Sequence, residues 1–138
     1  MSKEKTGSCL CGAVTIKTTS PMETFGACHC GMCRKWAGGP YMELDCAGGI
    51  TIEGAEHITN YNSSEWAERG FCNKCGTHLY YHLKGMDKHH VSIGLFADSI
   101  DPKLTEQYFI DKKPSGYSFK EETKDYTEKE IFEMYGAD

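Results

Sequence analysis

FCNKCG, residues 71–76, is the stretch that decides the fold: two cysteines are separated by two residues and followed by a glycine. Structural zinc takes four ligands in a tetrahedron, and sulfur ligands commonly arrive on such short turns. Gly76 lets the backbone fold back toward the thiolates of Cys72 and Cys75. One turn supplies only two ligands, so a second pair must come from elsewhere in the chain.

Cys9 and Cys11 are the candidates for that second pair. Residues two apart in an extended strand point to the same side, so both thiols can face one ion. A site of Cys9, Cys11, Cys72 and Cys75 would join the N-terminal segment to the middle of the chain. The alternative is that these cysteines are buried without a metal, since free cysteine packs well in cores. The paired spacing favours zinc.

CHCGMC, residues 28–33, is a second cluster, with the three thiols of Cys28, Cys30 and Cys33. Three protein ligands leave one tetrahedral position open, which distinguishes catalytic zinc sites from structural ones. Cys46 or His29 are the alternatives that would close it. Cys46 ends an apolar strand-like run and is expected to be a buried non-ligand. His29 lies between two ligands and would have to point away from the ion that they share.

The chemistry of three thiolates narrows the function of this second site. On a divalent ion they leave a net charge of about −1, which makes a modest Lewis acid. Such a centre suits an incoming thiol better than the activation of water. Arg34 and Lys35 follow the last cysteine and would offset the charge, bind a substrate carboxylate or stay solvated on the surface. We expect a loop here that loses metal readily, after which Cys28 and Cys33 can oxidise.

Composition limits the remaining possibilities. The 138 residues suffice for one domain, residues 1–138, and no apolar run is long enough to span a membrane. The start, MSKEKTGSCLCG, lacks the apolar stretch of a signal peptide, so we expect a cytoplasmic protein. Eight cysteines in a reducing compartment indicate metal binding or catalysis rather than disulfides.

Charge argues against nucleic acid as a partner. The formal net charge is −5, and residues 120–138 hold seven acidic residues against three lysines. The rest of the chain is therefore nearly neutral and offers no basic surface for a phosphate backbone. The acidic residues of the C-terminal segment are expected to face solvent. The oligomeric state stays open.

The periodicity predicts a mainly β fold with one helix. Glycine-rich turns separate short segments in which apolar and polar residues alternate. The expected strands are 14–16, 50–53 with 57–61 as its partner, 79–83, 90–97 and 107–110, and a strand-like run covers 41–44. Thr127 and Glu130 form a capping box for a C-terminal helix that ends near Gly136.

Several motifs together resemble one family, that of the glutathione-dependent formaldehyde-activating enzymes, which includes centromere protein V-like domains. The resemblance covers roughly residues 6–118 and implies an Mss4-like fold of several small antiparallel sheets organised around zinc, followed by a helical acidic tail, 119–138. The motifs that carry it are GSCLCGAV at 7–14, CHCGMCRKWAGG at 28–39, FCNKCGTHLYY at 71–81, VSIGLFAD at 91–98, Asp101-Pro102 and FIDKKPSGY at 109–117.

The resemblance also implies two zinc sites and an activity. It implies a structural zinc on Cys9, Cys11, Cys72 and Cys75, and a catalytic one on Cys28, Cys30 and Cys33. The founding activity of the family adds the thiol of glutathione to formaldehyde and gives S-hydroxymethylglutathione, a carbon–sulfur lyase reaction read in reverse. A small thiol such as glutathione is then the expected substrate. The lysine and aromatic residues near 112–117 are either walls of its binding site or part of a surface loop. The alternative function is a non-catalytic, zinc-stabilised binding module.

Overall fold

The structure, a computed structural model, describes residues 3–96 and 99–135, and β-strands dominate it, as predicted. The strands and helices are β1 (Lys5–Ser8), β2 (Thr15–Thr18), β3 (Thr24–Cys28), α1 (Gly31–Ala37), β4 (Tyr41–Asp45), β5 (Thr51–Glu53), β6 (Ile58–Asn62), β7 (Ala67–Cys72), β8 (His78–Leu83), β9 (Lys88–Ser92), β10 (Lys103–Tyr108), β11 (Lys124–Tyr126) and α2 (Glu128–Tyr135). In the part of the chain so described, every helix is too short and too polar to cross a membrane.

The chain divides into two compact units, of which the first comprises Met1–Glu23 and Leu44–Asp101. Strands β1, β2 and β5 form a three-stranded antiparallel sheet with β2 in the centre. Strands β6 to β9 follow one another as an antiparallel meander. The core of this unit includes Val14, Ile16, Leu79 and Val91, all fully buried. Buried and half-exposed residues alternate along β2, which confirms the strand predicted from Val14 and Ile16, although it begins at Thr15.

The second unit comprises Thr24–Glu43 and Pro102–Asp138. Within it β4 pairs with β3 in antiparallel fashion, whereas β10 pairs in parallel with both β3 and β11. The parallel pairs differ from the expected all-antiparallel sheets. Parallel neighbours need a long connection between them. The connection from β3 to β10 is long because it includes the part of the first unit that follows β4. The connection from β10 to β11 spans residues 109–123.

Other expectations differ from the structure in their details. The strand β6 pairs with β7 and not with β5, whose partner is β2. The strand expected over 90–97 ends at Ser92, and a 3₁₀ turn, Ile93–Leu95, follows. Residues 97 and 98 lie outside the described residues. The segment expected as a loop at 28–33 is the end of β3 and the beginning of α1.

The C-terminal helix and its capping box are confirmed. The Glu130 amide donates to the Thr127 hydroxyl at 3.2 Å, and the Thr127 amide donates to the Glu130 carboxylate at 2.9 Å. Ile131 is the buried residue of α2. The tail is not only helical, because β11 precedes α2 and extends the second unit by one strand. Gly136, the expected helix stop, lies outside the described residues.

Gly54 provides a test of the close packing between residue 54 and the Ala13 backbone in the first unit. Its φ is +85°, and a Cβ there would lie 1.9 Å from the carbonyl oxygen of Ala13. Gly54→Ala should lower the free energy of unfolding in urea by about 3 kcal/mol or more, because left-handed strain and a backbone clash add. Gly49→Ala is the matched control: φ is +90° but no atom lies within 4 Å, so strain alone costs about 1–2 kcal/mol. Equal losses in both variants would contradict this packing.

Candidate metal centres

The first thiol group lies in the first unit and brings together the four cysteines predicted from spacing. The sulfur atoms of Cys9, Cys11, Cys72 and Cys75 all lie within 4.8 Å of one another. Cys9 and Cys11 occupy the turn between β1 and β2 rather than an extended strand, which corrects the expectation. Cys72 ends β7, and Cys75 lies in the turn before β8. Two turns that are distant in sequence therefore present two thiols each.

The spacing of these sulfurs fits a tetrahedral zinc site. Cys11 Sγ lies 3.7 Å from Cys9 Sγ and 3.8 Å from Cys72 Sγ. A tetrahedron with zinc–sulfur bonds of about 2.3 Å has edges of about 3.8 Å. The Val14 amide donates to Cys9 Sγ at 3.3 Å. Burial raises the pKa of Cys9, but that hydrogen bond and the neighbouring thiols outweigh it, so the net shift is downward. The donor set suits zinc in number, type and distance.

Thr77 joins the two turns, a role that the sequence analysis missed. Its hydroxyl oxygen accepts the Leu10 amide at 3.1 Å and lies 3.1 Å from Cys75 Sγ. Hydrogen bonds from the Thr77 hydroxyl and then its amide lower the pKa of Cys75 to about 5. Gly76 has φ of +81° and donates its N–H to Cys72 O at 2.7 Å, so the expected turn is present. The sequence feature that could have indicated this role is the position of Thr77, two residues after the last cysteine of the C-x2-C turn.

The second thiol group lies in the second unit, where one short segment supplies all three cysteines. The sulfurs of Cys28, Cys30 and Cys33 lie within 4.8 Å of one another. Cys28 is the last residue of β3, Cys30 caps the start of α1, and its Sγ accepts the Cys33 amide at 3.3 Å. Cys28 and Cys33 are buried and Cys30 is partly exposed. The group is thus accessible through Cys30.

The electrostatics of this second group also fit a bound cation. The adjacent Cys30 and Cys33 thiols, followed by burial, raise the pKa of Cys28 well above its usual value. Three thiolates this close repel one another. A divalent ion between them offsets that repulsion and stabilises all three in the ligand form. Three soft sulfur ligands are compatible with zinc and leave one tetrahedral position.

His29 has both ring nitrogens directed at other partners. Its Nε2 lies 2.8 Å from Gln107 Oε1, and its Nδ1 lies 3.3 Å from the Tyr117 hydroxyl. The amide of Gln107 donates to Thr123 at 2.9 Å, so Oε1 accepts and His29 Nε2 carries the proton. Burial lowers the pKa of His29 and keeps the ring neutral. In this arrangement His29 anchors the segment between Cys28 and Cys30 and points away from the thiols, as expected.

Cys46 belongs to neither thiol group. It is only 2% exposed. Burial raises its pKa to about 11, against a smaller opposite effect of the Thr18 hydroxyl. Its sulfur lies outside both groups of converging thiols, so Cys46 packs as a small apolar side chain. The burial of Cys46 agrees with the expectation, and its role as a non-ligand stays a prediction.

Arg34 and Lys35 differ in their surroundings. The Nε of Arg34 donates to the His29 carbonyl at 2.9 Å, so its charge is held beside the cysteine segment. Lys35 is exposed on the same helix.

Lys113, from the expected wall segment, donates to the carbonyls of Pro114 and Tyr117. It also lines a cavity of about 560 Å³, together with Gln107, Ile110, Ser118, Phe119, Glu121, Glu122, Thr123 and Asp125.

Comparisons with known proteins agree with the sequence motifs. The profile of the family described as glutathione-dependent formaldehyde-activating enzyme matches residues 4–112. An uncharacterized lyase of Schizosaccharomyces pombe is 33% identical over 129 residues, which cover 93% of this chain and 94% of that protein. A Halomonas elongata protein, provisionally named a glutathione-dependent formaldehyde-activating enzyme, is 36% identical over 83 residues, covering 54% of this chain and 53% of its own length.

A solved structure has the same fold. A crystal structure of a Rhodobacter sphaeroides protein superposes with a TM-score of 0.57 at 22% identity, covering 72% of this chain and 99% of that one. The family profile spans more than half of the chain, and the yeast relative aligns with almost all of it. The chain therefore belongs to the glutathione-dependent formaldehyde-activating enzyme family.

Proposed function

We propose that the chain is a zinc-dependent enzyme of the carbon–sulfur lyase type that joins the thiol of glutathione to formaldehyde. The observation that carries the proposal is the convergence of Cys28, Cys30 and Cys33, with Cys30 partly exposed. Membership of the family and the lyase name of the yeast relative support the reaction class. Free thiols also require a reducing compartment, which fits the cytoplasm.

The two thiol groups have different proposed roles. The four cysteines of the first group complete a tetrahedron by themselves, which is the arrangement of a closed structural site. The three cysteines of the second group leave one position for another ligand. A zinc ion bound there would supply a Lewis acid that lowers the pKa of a thiol entering that position. The chain's own residues must hold, orient and balance the charge of this centre.

Arg34 is proposed to balance that charge and to position the substrate. Its Nε is fixed on the His29 carbonyl, and the guanidinium has further N–H donors. These donors can pair with a carboxylate of glutathione in bidentate geometry. His29 stays neutral and bonded to Gln107 and Tyr117, so it fixes the Cys28–Cys30 backbone without competing as a ligand.

The reaction is an addition that balances without an oxidant or reductant. The sulfur of glutathione loses its proton and forms a bond to the formaldehyde carbon. The carbonyl π electrons move to oxygen, which takes up a proton, and the product is the S-hydroxymethyl thioether. In the reverse direction the same carbon–sulfur bond breaks, which is the lyase direction. Positioning the two small reactants next to each other contributes to the rate, because the addition is bimolecular in solution.

Loss of one ligand from the first group should unfold the protein. Structural zinc contributes about 10 kcal/mol or more to the folding of small domains. Cys72 is fully buried, so Cys72→Ser removes a ligand where no water can replace it. We expect insoluble protein or a chain without a cooperative thermal transition. Cys46→Ala, a change at a buried cysteine outside both groups, should keep zinc and fold. An unchanged melting temperature and zinc content in Cys72→Ser would contradict the structural role.

Zinc should leave the two groups at different rates. The second group has three ligands from one short segment and a partly exposed Cys30, whereas the first joins two distant turns. A chelator titration followed by zinc release and far-UV circular dichroism should show one zinc leaving while the fold persists. This early zinc should be the ion of the second group, and the zinc of the first group should leave only with unfolding. Simultaneous loss of both ions with global unfolding would contradict the distinction.

Cys30→Ser should remove the activity and keep the fold. Serine is a strong helix N-cap, so it can accept the Cys33 amide as Cys30 does, while the third thiolate is lost. The purified wild type should raise the rate of S-hydroxymethylglutathione formation above the spontaneous reaction. In Cys30→Ser that increase should fall by at least about 100-fold, whereas Cys46→Ala should retain it. A wild type with no effect at high enzyme concentration would reject these substrates and favour a binding module.

A further inference from the structure

A third group of metal-binding side chains lies on the hairpin of β8 and β9, in the first unit. His82 and His89 are directly opposite each other across the two strands. Their rings stack with centroids 4.1 Å apart and planes at 5°. Ligand atoms of His82, His89 and Asp87, from the connecting turn, all lie within 4.8 Å of one another. This group contains no cysteine and is separate from both thiol groups.

His82 is oriented as metal-bound histidines usually are. Its Nδ1 lies 2.9 Å from Glu68 Oε2, and its Nε2 lies 2.9 Å from Asp87 Oδ1. A carboxylate on one ring nitrogen commonly fixes the tautomer of a histidine whose other nitrogen is the ligand. Glu68 is in that outer position. A metal ion can then take the place of the proton between Nε2 of His82 and the carboxylate of Asp87.

The backbone of the turn places the Asp87 carboxylate. Asp87 has φ of +47° and ends the 3₁₀ turn Lys84–Met86. Aspartate tolerates this left-handed conformation better than most residues. Its side chain is 86% exposed, so water can reach the group and complete a coordination shell. Because a metal ion lies in the plane of each imidazole that binds it, one of the two stacked rings must turn for His82 and His89 to share an ion with Asp87.

The local charge favours a cation. Glu68 and Asp87 contribute two negative charges on either side of His82. The two lysines of the turn point to other partners: Lys84 Nζ donates to Asn62 at 2.6 Å, and Lys88 pairs with Asp45 at 3.0 Å. Each ammonium group therefore has an acceptor outside the histidine group. The carboxylates are compensated by His82 if it is protonated, or by a bound ion.

We propose that His82, Asp87 and His89 bind one divalent transition-metal ion, with Glu68 as the residue that orients His82. Two imidazoles and a carboxylate suit ions such as Zn²⁺, Ni²⁺, Co²⁺ and Cu²⁺, because imidazole is a borderline ligand. Mg²⁺ and Ca²⁺ prefer all-oxygen sites and are not expected. The site is open to solvent and binds its ion reversibly. It does not depend on the lyase activity proposed above.

Nickel titration of the zinc-loaded full chain tests this site. Calorimetry with Ni²⁺ in a non-coordinating buffer should show one saturable site per chain, with no release of zinc. Asp87→Asn and His89→Ala should each weaken binding by at least about tenfold. Asp87→Asn is at an exposed position, so its fold is expected to be intact. His57→Ala, which removes a histidine beside Glu56 outside the group, is the matched control and should bind as the wild type does.

Thermal unfolding supplies a second readout. Ni²⁺ should raise the melting temperature of the wild type and of His57→Ala but not of His89→Ala, because an ion that binds the folded state stabilises it. Three results would overturn the proposal: no saturable binding to the wild type, equal binding to wild type and both site variants, or nickel uptake matched by zinc release. The last result would assign the nickel to the thiol groups.

Discussion

The first unit depends on the meeting of two turns that are far apart in sequence. The turn between β1 and β2 and the turn between β7 and β8 each present two thiols to one point. A hydrogen bond from the Leu10 amide to the Thr77 hydroxyl connects them directly. Small sheets bury limited apolar area, and a metal site can supply the stability that a small core lacks. The closed four-thiol arrangement supports the structural role proposed for it in the folding of this unit.

The second thiol group differs from the first in where its ligands come from, and this difference supports the proposed role in thiol addition. All three ligands come from one strand end and the helix start that follows it, so the group closes no long loop. Its rigidity comes from the buried His29, held by Gln107 on one side and Tyr117 on the other. A site on rigid elements with a fixed neighbouring ring can keep its geometry while a ligand exchanges. This difference supports the proposal that the first group stabilises the fold and the second carries the reaction.

Local features were predictable from sequence, whereas most non-local ones, apart from the meeting of the two cysteine pairs, were not. The seven grouped cysteines and the Thr127–Glu130 capping box follow from spacings of a few residues. The parallel pairing of β10 with β3 depends on where the chain returns after a long excursion, which no local pattern records. Helix α1 was missed because its seven residues, beginning with glycine, are too few to show a helical period.

Cross-strand register explains why the histidine group also escaped prediction. His82 and His89 are seven positions apart in sequence, and only the pairing of β8 with β9 places them opposite each other. The turn residue Asp87 completes the group through its left-handed backbone, and this conformation cannot be predicted from the local sequence MDKHH. The position of Thr77 between Leu10 and Cys75 likewise depends on contacts across the unit. Residues whose role comes from tertiary placement need coordinates to be recognised.

Charge in the second unit constrains how glutathione would be oriented. Glutathione carries two carboxylates and one ammonium group. The cavity beside Gln107 is lined by Glu121, Glu122 and Asp125 against the one charge of Lys113, so it is net negative. A carboxylate placed there would be repelled, whereas an ammonium group would be attracted. If the peptide uses this cavity, its amino end belongs in it and a carboxylate pairs with Arg34, since Arg34 lies at the cysteine segment and carries the opposite charge.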